Sequence, residues 1–279
     1  MPNVRMLRNV HSPDGSGPGN GMWALQRALQ QANFPWLKIG GALQSGEIPW
    51  AWLYRDVPVV LVFAHYGWPF IIGPNVLFAS SANPGKGKYE TALLDCDSCV
   101  MQFTESEWYA ALIHRHCDRN EAPIVLWRYP IDPQPAEPLP VEYDLLIYLK
   151  DMKLGREVIR ARERWPNSNI VVYGHYQREA MIDLARRSRF AIYLSSDDRG
   201  PLALAEIMLS GCPTIGIPYG APWIENHVSG ISIPHWGLMN EAEQLVQTID
   251  RNAVRAWALD AFSTAKTVEI IRSALEPLT

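Results

Sequence analysis

The chain has 279 residues, 48% hydrophobic and 19% charged, with a formal net charge of −4. That balance belongs to a globular protein of one large or two smaller domains; it excludes a disordered chain and gives no broad basic field for nucleic acid. No run approaches the about 18 consecutive apolar residues that span a bilayer, and the opening MPNVRMLRNV lacks a signal-peptide core, so a cytoplasmic location is expected.

The first forty residues read strand, loop, helix, strand: VRMLRNV, HSPDGSGPGNG, MWALQRALQQAN and WLKIGGA. The loop fails the dinucleotide fingerprint G-x-G-x-x-G because Asn20 stands at its third glycine position. Gly17 and Gly19 would instead let the backbone approach a donor phosphate or the acceptor. DVPVVLVFAHYG is an apolar strand running into His65, and NVLFASS and CVMQFT follow as further buried strands. Such uniformly apolar strands belong to parallel sheets covered on both faces. ESEWYAALIHRH carries Trp108, Ala111 and Leu112 at helical spacing, and PIVLWRYP returns as a strand. Five prolines from Pro130 to Pro140 then interrupt any regular structure and read as a linker.

Cys96, Cys99 and Cys117 lie near His114 and His116, a composition that suggests zinc. Finger spacing is missing, however, and a helical register turns the two histidines to different faces. Free reduced thiols and no metal are expected.

Beyond the linker, DLLIYLK, NIVVYG, FAIYLSS and PTIGIP are four strands alternating with three helices, GREVIRARERW, REAMIDLARRS and PLALAEIML. The tail from Glu241 is helical. The fold class is therefore α/β, with two Rossmann-like doubly wound domains facing across a cleft. The expected domains are 1–138, 139–262 and a terminal helix in 263–279 packing back on the first. Ligands of such sheets sit beyond the carboxyl ends of the strands. Function is therefore expected at the glycine-rich loop, His65, Lys150 to Lys153, Gly174 to Tyr176, and Asp197 to Leu202.

Asp198 and Glu206 flank the start of the helix PLALAEIML. Gly200 allows close backbone approach, and the helix start offers amides and a positive dipole end to a diphosphate. Glu206 could accept ribose hydroxyls and Asp198 sugar hydroxyls. Spacing alone favours Asp198 as a loop or N-cap acid and Glu206 as a solvated helix residue, because acids near helix starts are common.

The segment DRGPLALAEIMLSGCPTIG resembles the donor-site segment of retaining glycosyltransferase family 4, also called glycosyltransferase group 1, whose members have the GT-B fold. GAPWIENHVSGISI is similar to that family's next segment, which closes the donor pocket. PVVLVFAHYG, CVMQFTESEWYAALI and IVLWRYPID resemble its first-domain strands in the expected order. The resemblance implies a sugar transfer from a nucleotide-sugar, such as a UDP- or GDP-sugar, to a hydroxyl acceptor with retention and without metal or cofactor. The acceptor could be a glycan, a lipid-linked glycan, a small molecule or a modified nucleic acid. By the same resemblance Glu206 would bind the ribose. Asp198 with the backbone at Gly200 and Leu202 would hold sugar and diphosphate, and His65 would lie beside the transferring sugar. Lys150 and Lys153 correspond to the basic pair on the leaving diphosphate, while Gly174, His175 and Tyr176 would edge the base pocket. The pattern departs from the family at Asp198, where glutamate is usual, and at Gly200 and Pro201, which replace an aromatic residue and a glycine. The second domain reads one βα unit short. An epimerase of the same fold, which needs a titratable base triad, and a non-catalytic nucleotide- or glycan-binding homologue are the alternatives.

Overall fold

The computed structural model describes residues 99–278 except 118–120 and 133. Before these it describes helical residues 23–25, 27 and 28 and the backbone of four strands. Gly17, Gly19, His65 and Cys96 lie outside the described residues. The chain divides into two units, Met1–Pro130 with Thr264–Thr279, and Ile131–Ser263.

The first unit holds a six-stranded parallel sheet in the order β2-β1-β3-β4-β5-β6. Its strands are β1 Val4–Met6, β2 Trp36–Lys38, β3 Val59–Phe63, β4 Asn75–Phe78, β5 Cys99–Thr104 and β6 Ile124–Leu126. They form where near-continuous apolar runs allow both faces to be covered. Helix α1, Glu107–His116, buries Tyr109 and Ile113 one turn apart. Ala111 is exposed and Trp108 and Leu112 half-buried, so the inward stripe is not the one their spacing suggests; the two fully buried side chains define it. His114 and His116 face solvent, whereas Cys117 is buried and forms no disulfide. Near the end of the chain, the helix Thr264–Leu275 buries Thr267, Val268, Ile271 and Leu275. The Thr267 hydroxyl donates to the Arg128 carbonyl at 3.1 Å, which fixes this helix to the segment leaving β6.

The second unit holds a five-stranded parallel sheet in the order β11-β10-β9-β7-β8. Its strands are β7 Tyr143–Leu149, β8 Ser168–Val172, β9 Ser188–Leu194, β10 Thr214–Gly216 and β11 Gly230–Ser232. The fifth strand exceeds the four expected: it is three residues long and follows β10 through a connection without a helix, so no periodicity announces it. Helices α2 Gly155–Arg164, α3 Arg178–Arg187, α4 Leu202–Leu209, α5 Met239–Val246 and α6 Arg251–Ala261 complete the unit. Leu145, Ile147, Phe190, Ile192, Ile215 and Ile231 build the central core.

Helix α4 is apolar on every face apart from Glu206, and every residue from Ala203 to Leu209 is buried. The proline-rich segment is fastened to this unit. Arg251 donates to the Leu139 carbonyl at 2.8 Å and Arg255 to the Pro135 carbonyl at 2.8 Å. Leu139 N–H donates to the Arg186 carbonyl at 2.9 Å. Proline deprives a segment of donors but leaves its carbonyls, and the arginine forks satisfy these.

Leu204 is fully buried in α4. Leu204→Ala is expected to cost about 2–5 kcal/mol in urea unfolding, from lost transfer energy and the cavity left behind.

Candidate functional site

In chain order the second sheet runs 2-1-3-4-5, so its connections reverse direction between β7 and β9. At such a switch point the loops leaving two adjacent strands turn to opposite sides and open a crevice at the carboxyl edge. Lys150 leaves β7 there and Asp198 follows β9. The ladder sets their heights: Tyr148 pairs with Tyr193 and Leu149 with Leu194. In-register residues on neighbouring strands share a face. The two tyrosine rings accordingly stack, with centroids 4.8 Å apart and planes 8° from parallel.

Asp198 is 8% exposed. Its Oδ2 accepts from Lys150 Nζ at 2.5 Å and from the Tyr193 hydroxyl at 2.9 Å. Its backbone N–H donates to the Tyr219 carbonyl at 2.7 Å. That last contact needs the loop after β10 to pass close over the end of β9. A Cβ at Gly220 would lie 1.9 Å from the Ser195 carbonyl oxygen, so only glycine fits. Burial pushes the Asp198 carboxyl above its ordinary range, while Lys150 and Tyr193 pull it back down. Burial also raises the Tyr193 and Tyr148 hydroxyls, which keeps both protonated and able to donate. Asp198 is not a helix cap; that position belongs to Pro201.

Glu206 is 7% exposed, so the alternative of a solvated helix residue is overturned. Its helix has no solvent face to offer. Arg178 Nε donates to Glu206 Oε1 at 2.5 Å. Burial raises the Glu206 carboxyl and Arg178 opposes the rise. Sequence reasoning did not single out Arg178, although a signal existed. It is the first residue of α3, where the helix dipole disfavours a cation, so a carboxylate partner elsewhere is favoured.

The remaining expected residues divide. Tyr176 is brought in: its hydroxyl lies 3.2 Å from that of Tyr148, and the rings meet edge to face. Tyr173, not anticipated, lies under Lys150, whose ammonium is 5.3 Å from the ring centroid. Gly174 adopts a φ of 78°, which lets the chain turn sharply after β8. His175 is exposed, with its N–H donating to the Val172 carbonyl at 3.0 Å. Lys153 is exposed and its hydrogen bond is made through its backbone. Asp151 accepts its N–H at 2.9 Å and starts a tight turn, Met152–Leu154, that leaves the lysine exposed. Gly200 and Leu202 are half-buried at the start of α4, which carries no side-chain cap. Among the described residues no group of three or more His, Cys, Asp or Glu could hold a metal ion, and no helix is long and apolar enough to cross a membrane.

No family model matches the chain, and no curated protein matches it. Solved structures do. One is AviGT4, a glycosyltransferase involved in avilamycin A biosynthesis, at a TM-score of 0.56 and 15% identity over 100% of this chain and 97% of that one. Sucrose-phosphate synthase from Thermosynechococcus elongatus matches at 0.62 and 11% identity, over 99% and 100%. The lipopolysaccharide outer core galactosyltransferase WaaB, in its apo form, matches at 0.62 and 8%, over 99% of each chain. The chain thus has the two-Rossmann-domain GT-B fold shared by these proteins.

Two outcomes follow from the site's electrostatics. Arg178→Ala should destabilise the protein more in the native background than in Glu206→Gln, because it strands a buried carboxylate only in the former. With the Arg178 side chain 37% exposed, the coupling read from a double-mutant cycle of chemical denaturation should be about 1–2 kcal/mol, below the about 3–5 kcal/mol of a fully buried pair. Tyr193→Phe keeps the ring stack but removes a donor that holds the Asp198 carboxyl down. Its titration, followed by carbon NMR of labelled aspartate, should move to higher pH.

Proposed function

We propose that the protein is a glycosyltransferase that moves a hexose from a nucleotide-sugar, such as a UDP- or GDP-sugar, to a hydroxyl acceptor, with retention and without a metal or cofactor. The supporting observation is the pairing of Lys150 with Asp198 and of Arg178 with Glu206 at the β7/β9 switch point of a GT-B fold. The ammonium and the uncapped start of α4 suit a diphosphate. Asp198 beside Lys150 suits the sugar hydroxyls and the positive charge that develops at the anomeric carbon. Glu206, one turn inside the helix, suits the ribose, and Tyr176 with His175 the base.

In this reaction the bond from the anomeric carbon to the diphosphate oxygen breaks and the acceptor oxygen bonds to the same face of that carbon. The acceptor proton passes to the departing diphosphate. Lys150 stabilises the charge that accumulates on that leaving group, and no protein nucleophile takes part. Catalysis is then positioning and fixed electrostatics. Lysine acts here as a point charge without the fork of an arginine, so backbone amides must supply the remaining orientation.

Pro201 in place of an amide-bearing residue favours a second outcome, in which the site binds a nucleotide-sugar without transferring it. Thermal-shift measurements against uridine, guanosine, adenosine and thymidine diphosphates test the site itself. At least one should raise the melting temperature, a ligand at 100 times its Kd contributing about 2.7 kcal/mol. Glu206→Ala should abolish that response. If no diphosphate stabilises the protein and Glu206→Ala alters nothing, the site is not a donor site. Release of nucleoside diphosphate from the matching nucleotide-sugar then separates transfer from binding alone.

A further inference from the structure

Lys150 stands just past the end of β7, the strand between β8 and β9, and its ammonium is met from both neighbours. From the β9 side Asp198 accepts from Nζ at 2.5 Å. From the β8 side the Tyr173 ring lies with its centroid 5.3 Å from Nζ. The backbone under both contacts is fixed: Lys150 N–H donates to the Leu194 carbonyl at 2.9 Å, and Tyr173 N–H donates to the Leu149 carbonyl at 2.9 Å. Leu149 pairs with Val172, so Lys150 and Tyr173 are the first residues past a matched pair. After Tyr173 the chain turns back at once, with Gly174 at a φ of 78° and His175 N–H donating to the Val172 carbonyl at 3.0 Å. A turn of this kind asks for glycine at its third position and for nothing aromatic at its second. Tyr173 is 51% exposed and fills no core. Neither the turn nor the packing therefore accounts for the ring.

The two holders differ in kind. Asp198 attracts the ammonium by opposing its charge, whereas an aromatic face attracts it through the ring quadrupole and leaves the charge uncancelled. Ordering a long lysine side chain on a ligand costs rotamer entropy. A ring that already holds Nζ removes part of that cost before the anion arrives. We propose that Tyr173 is a positioning residue: its ring holds the Lys150 ammonium in place for the diphosphate of the donor, acting through Lys150 rather than by touching the ligand. This rests on Lys150 being the diphosphate lysine.

Isothermal titration of the full chain with uridine, guanosine, adenosine and thymidine diphosphates identifies a ligand, and a double-mutant cycle with that ligand tests the assignment. Tyr173→Leu keeps an apolar side chain without a π face and should weaken binding about two- to fivefold, the range of a cation–π contact at an exposed site. Tyr173→Phe keeps the face and should bind within about 1.5-fold of the native chain. In the Lys150→Met background Tyr173→Leu should change nothing further, because the residue it acts through is gone. A Tyr173→Leu Kd equal to the native one overturns the proposal, as does a Tyr173→Phe variant as weak as Tyr173→Leu. So does an undiminished loss in the Lys150→Met background, since Tyr173 would then meet the ligand itself. If Lys150→Met fails to fold with Asp198 stranded, the same comparison is made in Lys150→Met/Asp198→Asn, where neither charge of the pair remains. Weaker binding by Lys150→Met but not by Tyr173→Leu leaves the donor reading standing and removes this residue from it. If no diphosphate binds, or if Lys150→Met binds as tightly as the native chain, the diphosphate site itself falls and the proposal with it.

Discussion

Two carboxylates taken out of water, each opposed by one cation, are the constraint on which this edge of the second unit depends. A buried carboxylate left alone costs several kcal/mol after all relaxation, comparable with the whole stability of a domain. Asp198 and Glu206 can therefore stand where they do only if Lys150 and Arg178 stand close by. Neither cation belongs to the element that carries its partner. The charges thus tie the end of β7 to the loop after β9 and the start of α3 to the middle of α4, which are the places where a doubly wound sheet opens its crevice.

Strand register determines which atoms meet there. Tyr148 and Tyr193 are opposed across β7 and β9, both nearly excluded from solvent, and their stack leaves the Tyr193 hydroxyl little freedom. A phenylalanine would fill the same space with no hydroxyl to satisfy. What the hydroxyl adds is a second donor on Asp198 Oδ2, the oxygen that Lys150 also uses. Two donors, one just past β7 and one in β9, meet on one oxygen and restrict the rotation of the carboxylate. A one-residue slip between β7 and β9 would turn Tyr193 to the other face and undo the arrangement.

Much of this was legible in the sequence, for identifiable reasons. Runs such as DLLIYL and FAIYL mark β7 and β9 because strands covered on both faces tolerate little polarity. The loops that follow them stand out because ligands of such sheets gather there. For Glu206 the signal was present but spacing pointed the other way: in LALAEIML every other residue is apolar, so the glutamate had no solvent side to occupy. Arg178 was not singled out because its partner lies 28 residues away and becomes a neighbour only when α3 and α4 pack. Lys150 and Lys153 looked equivalent in sequence. Only Lys150 pairs with Asp198, while Lys153 stands exposed in the tight turn that Asp151 caps, and such a turn is set by backbone geometry rather than by any periodic pattern. The strand β11 escaped notice because three residues cannot show a period of two convincingly.

The proline at position 201 is less disruptive than its replacement of a glycine suggests. Proline inside a helix removes a donor and clashes with the preceding turn, but Pro201 lies before the first helical residue, with φ −77° and ψ 88°. Its carbonyl still accepts the Ala205 N–H at 3.2 Å, so the helix begins in the ordinary way. What is lost is the amide of residue 201 itself; those of the first helical turn, from Leu202 onward, remain and have no side-chain cap competing for them. An anion approaching this helix end would therefore meet a donor set reduced by one. It would also meet a lysine ammonium held beside it by Asp198. Asp198 balances that ammonium's charge at 2.5 Å, so the pair gives this edge a fixed direction rather than a net positive charge, and the amides from Leu202 onward keep their weight for any anion there.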